Sequence, residues 1–282
     1  MQIRSDVGFS TYTIAIIVAG LAMGCSVDNE FHKRNDAPGG DTGLAPVAIC
    51  DVSPNPVTPP FEEVTWDGTG SFAPDGDSIA KYEWTLVERP TGSVAEMPRG
   101  GAVRAGFMPD MAGNYVGELV VTTTGGDISE PCLSTLESVP AENLWVEMFW
   151  AERNDDMDLH LLKPGGSLEG DGDCYFMNCV PPAAPNWGLR NTDIDDPSLD
   201  LDDIEGTGPE NINILNPESG TFTVYVHDYT GSTPDFRGPN DVTVRVYLNG
   251  SIVWEDTRAI SGESSYTAFA RIDWDAGTVQ GL

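Results

Sequence analysis

The chain has 282 residues, with 45 acidic against 14 basic side chains and a formal net charge of -31. So acidic a balance argues against nucleic acid or an anionic lipid surface as partner, and favours divalent cations, cationic partners or a self-repelling, soluble surface. Its 31 Gly and 21 Pro, with few long runs of 3.6-residue period, point away from a helical fold.

Residues 1–12 carry one Arg and one Asp and lead into Ile14-Ala15-Ile16-Ile17-Val18-Ala19-Gly20-Leu21-Ala22-Met23. An apolar run of about ten residues suits the h-region of a signal peptide and is too short for a membrane span, which needs about 20. The run stops at Gly24-Cys25, and Ala22-Met23-Gly24-Cys25 resembles the lipobox of bacterial lipoproteins, although Leu21 stands one place early. That resemblance implies removal of residues 1–24, acylation of Cys25 and a membrane partnership through the lipid alone, each buried methylene contributing about 0.8 kcal/mol. Ser26 after the anchor implies the outer membrane rather than the inner one, in a bacterial cell envelope. Removal of residues 1–24 takes away Arg4 and Asp6 and leaves the net charge unchanged. Residues 25–43 are polar and rich in Gly and Asp, the composition of a disordered tether that spans roughly 20 to 25 Å.

With Cys25 assigned to lipid, four cysteines remain, and an even number in an exported chain predicts disulfides. Three pairings are possible. Cys174 and Cys179 are close in one Gly/Asn/Pro-rich segment, and Cys50 and Cys132 flank one domain, so Cys50–Cys132 and Cys174–Cys179 are the expected pairs. Ligation of a metal by four thiolates is the alternative, but the spacings fit no zinc pattern.

Short alternating segments recur along the rest of the chain: Lys81–Val87, Tyr115–Val121, Trp145–Trp150, Thr221–Val226 and Val242–Leu248. They predict strands bounded by turns, hence an all-β chain, and its length calls for two consecutive β-sandwiches, over residues 44–138 and 139–282. The first contains Gly70-Ser71, Pro74-Asp75-Gly76-Asp77, Tyr82-Glu83-Trp84 and Gly113-Asn114-Tyr115. In that order these residues resemble a PKD-type immunoglobulin-like domain, a module that spaces or presents other domains. The Gly-Asp-Gly usual soon after the Trp is replaced by Glu88-Arg89-Pro90-Thr91-Gly92-Ser93. Asp75 and Asp77 are expected to serve turn chemistry before any calcium ligation.

The second sandwich carries Asp156-Met157-Asp158-Leu159-His160, then Asp200-Leu201-Asp202-Asp203 ahead of Gly208-Pro209-Glu210, then Gly220-Thr221-Phe222-Thr223-Val224. Together these resemble a YfaP-like domain of exported bacterial proteins, a family to which no activity is attached. The loop over about 165–198, which holds Cys174 and Cys179, looks longer than that family's norm.

Period two places Asp158 and His160 on one face of their strand and Leu159 and Leu161 on the other. Hard-oxygen ligands are abundant here: Asp156, Asp158, Asp200, Asp202, Asp203 and Glu210, with Asp193, Asp195 and Asp196 nearby. Ca²⁺ takes about six to eight oxygens, so these residues suit a calcium site, in a pattern that is not an EF-hand; the alternative is a solvated acidic loop pinned by its disulfide, with no cofactor. His160 and His227 offer a different site, of the His/carboxylate kind that holds zinc or iron. The chain has no Gly-x-Ser-x-Gly elbow, no His-Glu-x-x-His helix and no phosphate-binding Gly loop. The expected function is a non-catalytic envelope lipoprotein that binds a glycan or an envelope protein. The alternatives are a structural spacer of an envelope complex and a carboxylate-based hydrolase of carbohydrates.

Overall fold

Alternation of apolar and polar side chains sets the strands of the computed structural model, which describes residues 44–230 and 238–282. The expected signal segment, the acylated Cys25 and the tether lie outside the described residues. The first six strands are β1 (Asp51–Ser53), β2 (Val64–Asp67), β3 (Ile79–Glu88), β4 (Arg104–Phe107), β5 (Gly113–Thr123) and β6 (Cys132–Ser138). They form two antiparallel three-stranded sheets, in the orders β1-β2-β4 and β3-β5-β6. β5 shows why: Tyr115, Gly117, Leu119 and Val121 point inward and the residues between them point outward. Between the sheets Trp66, fully buried, has Trp84 and Phe107 each 6.1 Å away, centroid to centroid. Burial of one such side chain contributes about 1.5 to 3 kcal/mol. Cys50 is bonded to Cys132 beside this core. Asp75 and Asp77 cap turns: Asp75 accepts the Asp77 N–H, and Asp77 accepts from Ser78 N, Gly125 N and the Thr124 hydroxyl. The Thr124 hydroxyl is the leading cause that holds the Asp77 carboxyl down at about 2.

Ten further strands follow. They are β7 (Leu144–Trp150), β8 (Asp156–Leu162), β9 (Asp173–Cys174), β10 (Ser198–Leu201), β11 (Glu210–Ile214), β12 (Thr221–Tyr229), β13 (Asn240–Leu248), β14 (Ser251–Ile260), β15 (Ser265–Asp273) and β16 (Thr278–Gly281). They make two five-stranded sheets, β10-β11-β7-β13-β14 and β16-β15-β12-β8-β9, which enclose the larger core of the molecule. Cys174 is bonded to Cys179, and both sulfurs are buried in that core. The fold is all-β and sandwich-type, as the alternating segments predict.

The described residues form one compact unit, and the contacts between its two halves explain an oddity of β7. Every residue of β7 is buried. Leu144, Val146, Met148 and Trp150 face the core, whereas the opposite face packs on the first sandwich. There Trp145 joins Ala112 and Tyr247 in a small apolar cluster, and the Glu147 carboxylate accepts the Ala112 N–H at 2.7 Å. Burial pushes the Glu147 carboxyl up to about 7. Arg245 lies over the Phe149 ring at 4.9 Å and donates to the Thr91 carbonyl at 3.1 Å.

Gly92 completes this joint. Its φ is +95°, and a Cβ there would stand 2.3 Å from the Phe149 ring. Gly92→Ala combines backbone strain with overpacking, and we expect it to destabilise the protein by about 1 to 3 kcal/mol. Urea denaturation checks this; a loss below a few tenths of a kcal/mol would mean that the joint yields.

Candidate metal centre

β12 pairs with all of β8, but β9 covers only Leu161 and Leu162. The far edge of β8 over Asp156–His160 therefore lacks a neighbouring strand, and its buried backbone groups need other partners. Glu210, the first residue of β11 in the opposite sheet, supplies one: its Oε2 accepts the Leu159 N–H at 2.8 Å. The side chain of Glu210 is fully buried, and this bond holds its carboxylate beside Asp158.

The loop between β10 and β11 brings a third carboxylate. Asp203 closes that loop by accepting the N–H groups of Gly206 at 3.0 Å and Gly208 at 2.8 Å. The Trp150 N–H donates to Thr207 O at 3.0 Å, which fastens the loop to the end of β7. Gly208 has φ +80° and lies so near β7 that a Cβ would be 3.0 Å from the Phe149 Cα, so the position requires glycine. With the loop so folded, Asp158, Asp202 and Glu210 offer ligand oxygens that all lie within 4.8 Å of one another. Oxygens around one Ca²⁺ at about 2.3 to 2.6 Å stand no more than about 5 Å apart, so the spacing fits such an ion.

The electrostatics mark the site as short of positive charge. Burial, then the charges of Asp158, Asp202, Asp203 and Asp155, push the Asp156 carboxyl up to about 7. Burial followed by the Asp158 charge raises Asp202, and the same two causes raise Glu210 well above the usual carboxylate range. Two buried oxygens, Asp158 Oδ2 and Asp156 Oδ1, accept no hydrogen bond, in residues only 3% and 6% exposed, and the first has only the long 3.4 Å contact to His227 Nδ1 beside it. A buried acceptor without a donor costs about 1 to 3 kcal/mol, more when charged. A divalent cation held by Asp158, Asp202 and Glu210 would relieve the repulsion among the carboxylates.

The remaining predicted ligands are placed in four ways. Asp156 adds charge beside the triad without joining it. Asp203 is engaged in the loop through Gly206 and Gly208. Asp200 faces elsewhere: its carboxylate accepts from the Ser198 hydroxyl at 2.5 Å and from Asn213 Nδ2 at 2.7 Å. The β10–β11 ladder slips between Leu199 and Leu201, and Asp202 lies past the end of β10, so the two carboxylates part. Asp195 and Asp196 accept backbone N–H groups of Leu189 and Trp187 and so order the long loop.

His160 and His227 do not assemble with a third ligand; among the described residues Asp158, Asp202 and Glu210 form the one group of three. His160 Nδ1 lies 2.8 Å from Asp173 Oδ2 in a fully buried contact, and its ring stacks on Tyr175 at 4.9 Å. His227 stacks on Tyr266 at 4.1 Å, and its Nδ1 is 3.4 Å from Asp158 Oδ2. Both rings line the polar face of the sheet behind the acidic centre. Asp173 as the partner of His160 escaped sequence reasoning, because the intervening loop hides the pairing.

No known family model and no curated protein matches the chain. Among solved structures it is similar to an endo-fucoidan hydrolase, MfFcnA9, from glycoside hydrolase family 107, at 15% identity and a TM-score of 0.21. The match covers 62% of this chain and 30% of that one, so the chain spans under a third of that structure's length.

Proposed function

We propose that the protein is a calcium-binding, non-catalytic lipoprotein of a bacterial cell envelope, with the cation held by Asp158, Asp202 and Glu210 and the second sandwich serving as a binding module. The observation that carries this reading is the convergence of these three carboxylates beside buried oxygens that accept no hydrogen bond. Exported proteins meet calcium near millimolar levels, where sites with dissociation constants of about 10⁻⁴ to 10⁻³ M are filled. Binding fits the geometry better than proton transfer to a substrate, because Asp158 and Glu210 are buried and only Asp202 is exposed. The close joint through Gly92, Glu147 and Arg245 supports the first sandwich as a stiff spacer that presents the second. Membrane attachment rests on the lipobox-like residues Ala22–Cys25 and on the short apolar run before them.

Thermal unfolding with calcium and with excess chelator tests the cation site. Ligand at 100 times its dissociation constant adds about 2.7 kcal/mol, which at roughly 2 to 4 °C per kcal/mol is a rise of about 5 to 10 °C. We expect that rise in the native chain and its loss in Asp158→Asn. An identical melting curve with and without calcium would remove the cation from the account.

A further inference from the structure

A cleft of about 540 Å³ opens between the two sandwiches, and Asp202 is on its wall. That volume lies within the range of roughly 300 to 1,000 Å³ typical of small-ligand sites, which often form at domain junctions. The cleft is notable for its arginines. Arg89 of the first sandwich and Arg153 of the second both line it, in a chain where acids outnumber bases three to one. Neither makes an ion pair among the described residues, and Arg89 donates to the Ala95 carbonyl at 2.8 Å.

The acids of the same wall are mostly engaged. Asp110 accepts from the Ser93 and Tyr115 hydroxyls and from the Val94 and Ala95 N–H groups. Asp203 is held by Gly206 and Gly208. Glu96 and Asp202 remain, and a cation would neutralise Asp202. Three carboxylates do not fill the six to eight positions that Ca²⁺ takes (about 2.3 to 2.6 Å each) unless all bind through both oxygens, and Asp202, the exposed one of the three, lines the cleft. Val94 and Leu201 add apolar wall.

Resting on the cation reading above, we infer that this cleft binds an acidic saccharide, its carboxylate taken by Arg89 and Arg153 and its hydroxyls completing the coordination of the cation at Asp202. Guanidinium groups suit a carboxylate because they donate two parallel hydrogen bonds to it. Hydroxyl oxygens suit calcium, and the apolar wall suits the C–H face of a sugar ring.

Calorimetric titration of the full chain with trigalacturonate, in millimolar calcium, tests this. Saturable binding is expected, at least tenfold weaker in chelator, at least tenfold weaker for galactotriose, and at least tenfold weaker in Arg89→Gln and Arg153→Gln. Both variants should keep the calcium-dependent rise in melting temperature, because neither residue is a cation ligand. If calcium raises the melting temperature but trigalacturonate does not bind, or binds equally without calcium or in the arginine variants, the saccharide site is overturned and the cation site stands. If calcium leaves the melting temperature unchanged, both readings fail together.

Discussion

Replacing Cys50 and Cys132 together by alanine should lower stability by about 4.5 kcal/mol, the chain entropy regained when a loop of 82 residues is no longer closed. This bond joins the start of the first sandwich, just before β1, to the first residue of β6, on opposite sheets, so its loss frees nearly the whole first sandwich. The Cys174–Cys179 bond closes a loop of only five residues, and the same relation gives about 2 kcal/mol for it. Denaturant unfolding of the two double variants should therefore rank them in that order. A loss below about 1 kcal/mol for Cys50→Ala/Cys132→Ala would show that the six-stranded core is sufficient by itself.

The pH dependence of stability provides the second large effect. The Asp156 carboxyl stands at about 7 in the folded chain against 3.8 ordinarily, and Asp202 and Glu210 are raised as well. A carboxyl raised in the folded state binds more protons there than in the unfolded chain, so stability is fully present below about pH 4 and falls as pH rises through about 7. Cation-free protein should thus be more stable at pH 5 than at pH 8, by on the order of 2 to 4 kcal/mol. Calcium should flatten most of that slope, because the ion favours the ionised carboxylates. A residual slope should persist from Glu147, also raised to about 7 at the joint between the sandwiches, and Glu147→Gln should remove it while keeping an acceptor for Ala112 N. Melting curves from pH 5 to 8 with and without calcium check both parts; stability that rises with pH in chelator would contradict the first.

Five strands were legible from alternation, whereas β6, β14 and β15 were not read although each exposes part of a face. The alternation in Lys81–Val87 and Tyr115–Val121 falls within β3 and β5, and Thr221–Val226 and Val242–Leu248 fall within β12 and β13. β7 was legible as a strand but not in its role: Glu147 within an apolar run marks the surface where the first sandwich docks, and nothing local distinguishes a docked face from a solvated one. Short strands such as β9 and β10 gave no periodic signal at all, at two and four residues.

The acidic centre was half legible. Asp158, Asp202 and Glu210 were all among the expected ligands, because carboxylates crowded into one region repel unless a cation or a proton intervenes. Which of the six would converge depended on two features that spacing does not reveal. One is the slip in the ladder after Leu199, which turns Asp200 toward Asn213. The other is the shortness of β9, which leaves the Leu159 N–H for Glu210 to bind. The cleft with Arg89 and Arg153 was invisible, since it joins residues 64 positions apart across the two sandwiches.

Equilibrium dialysis of the native chain and of Asp158→Asn against millimolar calcium tests the cation site most directly. The account predicts one calcium bound per native chain at the acidic centre and its loss in Asp158→Asn, with circular dichroism unchanged between the two. Equal calcium retained by both proteins, or none by either, would contradict it.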